Sequence, residues 1–268
     1  MMNHARRTVG VAGTYSVQLS LIDIGPTEPG PPRGTIVCIH GAGGNAEQWR
    51  HQIEHFSRHY RVIAPDLRGH GMSAKPHSSY SLEEFLWDFH QVLAFCQVDR
   101  PAIVMAHSFG GPIALTFTAA HPERVSRLVL VATAPEIRLD PWVEALLRMP
   151  LPLSTLERLR PLIAPKLHAP LFVLQRVLSS TLFPWRGWEL LPAISTPTLI
   201  IGGQFDFIVP PSLLERMRAA IPGARFELMR YARHLPQIER AAAVNRAVEG
   251  FIERRRSWRG DHEEELGG

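Results

Sequence analysis

The chemistry of this chain starts at Ser108. The run Val104-Met105-Ala106-His107-Ser108-Phe109-Gly110-Gly111 follows an apolar β-type stretch at 101–105. It precedes Pro112-Ile113-Ala114-Leu115-Thr116-Phe117, which reads as a helix packed on a sheet. A serine therefore sits between strand and helix, with small residues two positions to either side, Ala106 and Gly110. A turn that tight has no room for larger side chains there. It lifts the hydroxyl off the end of the sheet and leaves the free N–H groups of the helix N-terminus beneath the reacting oxygen. A serine hydroxyl is a poor nucleophile until an imidazole takes its proton, and the imidazole needs a carboxylate on its other nitrogen. Asp206, just past the apolar run 196–203, and His234, just past 225–229, are of the right types. Ser108, Asp206 and His234 are all predicted at the C-terminal ends of strands, the edge where an open parallel sheet builds its sites. Glu136, past the preceding strand, is a rival for the acid.

The elements that must position these groups alternate. Residues 8–24 read as a hairpin of half-buried strands, and 35–39 as a short apolar strand covered on both faces. His40-Gly41-Ala42-Gly43-Gly44 follows at once. Asn45 is expected to cap a helix running to about Arg58, with Trp49, Ile53 and Phe56 on one face. Residues 60–66 form the next strand, ending in Asp66-Leu67-Arg68-Gly69-His70-Gly71. Ser81, with Glu84 at the capping-box position, opens an amphipathic helix carrying Leu82, Phe85, Leu86, Phe89, Val92, Leu93 and Cys96. Strands are expected at 125–132, 196–203 and 225–229, and helices at 210–220 and from about Ile238 to Arg254. Repeated strand–helix alternation argues an α/β fold: a mostly parallel central sheet with helices on both faces.

The rhythm breaks at 136–191, which is dense in Leu, Pro and Arg, with helical pieces at 140–148 and 171–178 and no clear strand. An insertion of this kind reads as a helical cap. The expected organisation is a core of 1–135 with 192–255, a cap of 136–191, and a charged tail of 256–268 that reads as disordered. Phe183 and Trp185, in the cap, are candidates for lining a substrate pocket.

Composition excludes several classes. The chain has 268 residues, 45% hydrophobic and 20% charged, and a net charge of +4, enough for one sizeable core and no concentrated basic face. No nucleic-acid partner is expected. The 13 histidines show no metal-ligand spacing, so neither a metal nor another cofactor is expected. Cys38 and Cys96 read as buried free thiols. No run of about 18 apolar residues suggests an integral membrane segment, and a cytoplasmic location is the default expectation.

Taken together, His40-Gly41-Ala42-Gly43-Gly44, Asp66-Leu67-Arg68-Gly69-His70-Gly71, the turn at Ser108, Gly203-Gln204-Phe205-Asp206 with Ile208-Val209-Pro210, and His234 with Glu239 resemble the α/β-hydrolase-fold serine hydrolases. The likeness spans nearly the whole chain apart from the tail, in the order Ser, Asp, His. It implies a nucleophile elbow at Ser108 and an oxyanion hole made by the backbone N–H groups of Ala42 and Phe109. His40, His70 and His107 are expected to be satisfied groups beside these motifs, and Asp66 to be structural. Two positions depart from the family pattern: Ala106 stands where Gly is usual, and Arg233 precedes His234 where Gly is frequent. A serine nucleophile argues against the epoxide-hydrolase and haloalkane-dehalogenase branches, which need a carboxylate. The expected function is hydrolysis of a lipophilic small-molecule ester, lactone or thioester through an acyl-enzyme. The alternatives are a carbon–carbon hydrolase of a ring-cleavage pathway, against which Leu235 stands where Trp is usual, and a non-catalytic binding protein of the same fold. A cap lying on a lipid surface is weighed against one that packs on its own domain, and the latter is preferred.

Overall fold

A computed structural model describes residues 6–11, 16–137, 153–164 and 167–253. The helix expected at 140–148 and the tail 256–268 lie outside the described residues. An eight-stranded sheet runs through the molecule in the order β1-β2-β4-β3-β5-β6-β7-β8. Its strands are β1 (Arg6–Val11), β2 (Val17–Ile24), β3 (Thr35–Ile39), β4 (Arg61–Pro65), β5 (Ala102–His107), β6 (Val125–Val131), β7 (Thr198–Gly203) and β8 (Arg225–Met229). β1 and β2 form the expected antiparallel hairpin, and β2 joins β4 antiparallel; every later pairing is parallel.

Burial follows the strand period. Val37 and Ile39 point to one side of β3 and Ile36 and Cys38 to the other, and all four are fully buried. The first side is covered by α2 (Leu82–Phe95), α3 (Gly110–Ala120) and α6 (Pro211–Ala220), through Phe85, Phe89, Ile113, Phe117, Leu214 and Met217. The second is covered by α1 (Arg50–Phe56) and α8 (Ala241–Glu253), through Ile53, Phe56, Val244, Val248 and Phe251. Register aligns the strand ends: Ile39 lies opposite Ala106, His107 opposite Val131, and Val131 opposite Ile201. The residues that follow β3, β5 and β7 therefore emerge along one edge.

Several local expectations are corrected. Asn45 makes no side-chain cap, and a 3₁₀ turn, Ala46–Trp49, precedes α1. The Asp66 carboxylate takes the free N–H instead: Ala46 N donates to its Oδ1 at 2.7 Å, while Arg6 and Met72 N donate to Oδ2 at 2.7 and 2.8 Å. A charged acceptor already held in place competes better for that N–H than a neutral amide. The final helix is also broken, into α7 (Pro236–Glu239) and α8, with Arg240 between them in a non-helical conformation. Ser81 and Glu84 do form the capping box.

In 136–191 the described α-helices are α4 (Leu153–Ile163) and α5 (Leu171–Val177), the latter widening into a π-helical turn, Leu178–Leu182; a 3₁₀ helix, Trp188–Ala193, leads back to the sheet. Val173 and Val177 are fully buried. Backbone bonds tie this stretch to the loops at the sheet edge. His168 N donates to Gly43 O and Gly71 N to His168 O, both at 2.8 Å, and Gly187 N to Pro135 O at 2.7 Å.

The Asp66-to-Gly71 turn is anchored by an ion cluster that apolar periodicity does not reveal. Arg68 is 1% exposed; its Nε and Nη2 donate to the two Asp88 carboxylate oxygens at 2.6 and 2.7 Å, and its Nη1 to Glu84 Oε1 at 2.7 Å. Burial pushes Asp88 above the usual carboxylate range, and the Arg68 guanidinium opposes it. Removing one member leaves a buried charge without its partner. Asp88→Ala is therefore expected to lower unfolding stability in urea by about 3–5 kcal/mol. A loss under about 1 kcal/mol would show that the cluster does not anchor the turn.

Candidate active site

At the elbow, Ser108 takes a left-handed backbone conformation, φ 48°. A residue with a Cβ is rarely found there, so neighbours must hold it. Ser108 N donates to Val131 O at 3.0 Å, Gly111 N to Ser108 O at 2.8 Å, and Thr133 Oγ1 to the same Ser108 O at 2.7 Å. Gly110 has to be glycine because a Cβ there would stand 2.6 Å from Ile39 O on β3. Ala106, fully buried inside β5, fits where the family usually has glycine.

The three candidate groups meet. His234 Nδ1 lies 2.8 Å from Asp206 Oδ2, and His234 Nε2 lies 2.9 Å from Ser108 Oγ. An ionised carboxylate only accepts, so Nδ1–H donates to Asp206 and Nε2 is left to accept from the serine hydroxyl. The Asp206 side chain is fully buried, and its Oδ1 accepts from Ile208 N at 2.9 Å and Val209 N at 3.0 Å. One carboxylate thus orients the imidazole and fixes its own loop. The rival acid is elsewhere: Glu136 faces the Arg186 guanidinium at 3.8 Å.

The histidine loop is held from three directions. His107 Nε2 lies 2.8 Å from His234 O, so it carries the proton and donates. Glu239 accepts from Arg233 N at 2.7 Å and from Leu235 N at 3.3 Å. Arg233, in the position where glycine is frequent, is accommodated by Gly203 across from it, where a Cβ would lie 1.9 Å from Arg233 O. The absence of a side chain on β7 lets the loop close against the sheet.

The neighbouring histidines are buried and neutral. Leu67 N donates to His40 Nε2 at 3.0 Å, so His40 Nδ1–H donates to Gly41 O at 2.8 Å; burial lowers its pKa to about 4. Burial lowers both His70 and His107 to about 3. The expectation that all three are satisfied is corrected for two: His70 Nε2 and His107 Nδ1 are buried with no hydrogen-bond partner among the described residues. Burial away from water keeps them neutral.

Of the two residues expected to supply an oxyanion hole, Ala42 lies in the turn closed by Gly44 N donating to Gly41 O at 3.0 Å, and Phe109 is the N-cap of α3. A Cβ on Gly41 would come 3.1 Å from Ser108 Cβ, so that turn abuts the serine. Neither the Ala42 nor the Phe109 amide donates to a backbone carbonyl among the described residues. Phe183 is buried, and Trp185 lies across Gly187, where a Cβ would be 2.4 Å from its ring. Sequence reasoning missed the roles of Thr133, Glu239 and the His107 bond. His107 carried a signal in its place beside the serine, and Glu239 in the motif it shares with His234. Among the described residues no cluster of His, Cys, Asp or Glu is arranged to hold a metal, and no helix is long and apolar enough to cross a membrane.

Residues 34–172, more than half of the chain, match the family described as alpha/beta hydrolase fold. The chain belongs to that family. An uncharacterized protein of Mycobacterium tuberculosis is 26% identical over 257 residues, covering 81% of this chain and 75% of that protein. The 2-hydroxy-6-oxo-2,4-heptadienoate hydrolase of Pseudomonas putida is 35% identical over 119 residues, 43% of this chain and 41% of that protein. Among solved structures, the enol-lactonase from Burkholderia xenovorans LB400 superposes with a TM-score of 0.76 at 26% identity, covering 92% of this chain and 99% of that one. A malate-bound thermophilic esterase from Thermogutta terrifontis gives 0.74 at 25% identity, with 92% and 98% covered.

The close approach at Gly203 gives a direct test of this geometry. Gly203→Ala is expected to push the His234 loop off the sheet and to lower stability by about 1–3 kcal/mol in urea unfolding. Unchanged stability together with unchanged His234 ring NMR shifts would contradict the packing described.

Proposed function

We propose that this protein is a serine hydrolase of carboxylic esters, lactones included, working through an acyl-enzyme on Ser108. The observation that carries the reading is the continuous chain from the buried Asp206 carboxylate through His234 to Ser108 Oγ, with contacts of 2.8 and 2.9 Å. As Ser108 Oγ attacks the carbonyl carbon, its proton passes to His234 Nε2, and Asp206 stabilises the imidazolium that forms. The carbonyl oxygen becomes an oxyanion, stabilised by the Ala42 and Phe109 amides. Collapse expels the alkoxide, which takes the proton from Nε2. Water, activated by the same nitrogen, then releases the acid and restores Ser108.

We read 136–191 as a cap on a core made of the flanking segments, with Phe183 and Trp185 shaping the substrate side. The enol-lactonase and esterase likenesses support the ester reading. A second reading, carbon–carbon bond hydrolysis, is favoured by the stretch shared with the Pseudomonas putida hydrolase. The same triad serves either, so an ester panel run beside a vinylogous 1,5-diketone acid separates them.

Ser108→Ala should lower kcat on the best ester by on the order of 10⁵–10⁶ without unfolding the protein. Asp206→Asn should cost on the order of 10⁴ through loss of the correct tautomer, while Glu136→Gln stays near wild type. The reverse pattern for the two acids would move the orienting carboxylate to Glu136.

For selectivity, burying acyl methylenes contributes about 0.8 kcal/mol each. Across p-nitrophenyl esters from acetate to dodecanoate, kcat/KM is expected to rise about threefold or more per methylene until the pocket fills. Phe183→Ala or Trp185→Ala should shift the optimum. A flat profile, unmoved by either substitution, would leave 136–191 as a cover only.

A further inference from the structure

Beside the triad, two loops hold large apolar side chains in solvent. Phe207 is 91% exposed, Tyr231 69%, Ile208 51% and Phe205 45%. The loops follow β7 and β8 and pair with each other: Phe205 N donates to Ala232 O at 2.8 Å, and Tyr231 N to Gln204 Oε1 at 3.0 Å. The Phe205 and Tyr231 rings lie 6.4 Å apart. The backbone just after Phe207 is fixed, because Ile208 N and Val209 N both donate to Asp206 Oδ1. A fixed loop that keeps such side chains in water forgoes burial that other arrangements would gain, and apolar residues grouped in this way mark a contact surface.

Charge says what the surface meets. On and beyond the second loop stand four arginines, Arg230, Arg233, Arg240 and Arg246, against Glu239 and, on β8, Glu227; Arg225 begins β8, at the opposite edge of the sheet. All four are exposed, and Glu239 is already engaged by the Arg233 and Leu235 amides. Arg230, Arg240 and Arg246, three cations against the one carboxylate of Glu227, line a groove of about 540 Å³ beside Tyr231, and the Arg240 guanidinium stands 5.5 Å over the Tyr231 ring.

We propose that this face docks the protein on an anionic phospholipid surface. Phe207 and Ile208 enter the boundary between headgroups and acyl chains, and the arginines meet the phosphates. A second copy is a poorer fit, because a two-fold contact would set the arginine rim against itself. A folded acidic protein would need a pocket shaped for Phe207, whereas a fluid interface accepts a projecting ring without one. The proposal does not depend on the hydrolase reading.

The test is co-sedimentation of the full chain with vesicles of equal parts phosphatidylglycerol and phosphatidylcholine, beside vesicles of phosphatidylcholine alone. Wild type should partition onto the mixed vesicles at low ionic strength, leave them as salt rises, and stay largely free of the neutral ones. Phe207→Asp, and separately Arg230→Glu with Arg246→Glu, should each weaken partition by about tenfold or more. Circular dichroism and hydrolysis of a water-soluble acetate ester should match wild type in both. Wild type remaining in the supernatant with mixed vesicles, or variants that bind as wild type does, would overturn the proposal. So would a lipid-free dimer abolished by Phe207→Asp, which would assign the face to a second copy.

Discussion

The constraint on which the rest depends is the left-handed backbone at Ser108, φ 48°. L-residues avoid that region, so the turn persists only because the fold holds it from several sides. β6 supplies one hold through Val131 O, and Thr133 beyond it supplies another through its hydroxyl. β3 passes so close beneath that only glycine fits at 110. The parallel register brings these strand ends level, and the helices on both faces keep the sheet buried enough for the register to hold. The elbow is thus a consequence of the whole sheet more than of its own eight residues.

The second theme is economy of buried polar groups. Asp206 uses one oxygen for the imidazole and the other for the loop that carries it. Glu84 caps α2 with one oxygen and pairs with Arg68 through the other. Asp66 closes a turn, accepts the first N–H of a helical segment and pairs with Arg6. In each case a carboxylate has the lone pairs to meet several donors at once, which lowers the cost of burying it. Around the triad the histidines stay uncharged, so no extra cation competes with His234 for Asp206.

Much of this was legible in the chain. Short apolar runs gave β3 through β7, because a strand buried on both faces has a continuous hydrophobic signature, whereas β8 is an edge strand that exposes Arg225, Glu227 and Leu228. Ser108, Asp206 and His234 were legible because each follows a predicted strand, and strand ends set the edge. What failed were choices between competing local partners. Asn45 looks like a cap until Asp66, from the turn after β4, reaches Ala46 N first. The break at Arg240 has no period to betray it, since α7 and α8 together read as one apolar face. Arg68, Glu84 and Asp88 read as surface charges on an amphipathic helix and a turn, and only their mutual pairing lets them be buried. The bond from His107 to the His234 loop joins residues 127 positions apart, so the place of His107 beside the serine does not name its partner.

The central claim is that the fold presents Ser108 as a nucleophile activated through His234 and Asp206. The most direct measurement is stoichiometric labelling with a fluorophosphonate, followed by mass spectrometry of the proteolysed chain. The account predicts one adduct per molecule, on the peptide containing Ser108, formed at a rate that collapses when His234 is replaced by alanine. An adduct on any other residue, or labelling at Ser108 that proceeds unchanged without His234, would contradict it.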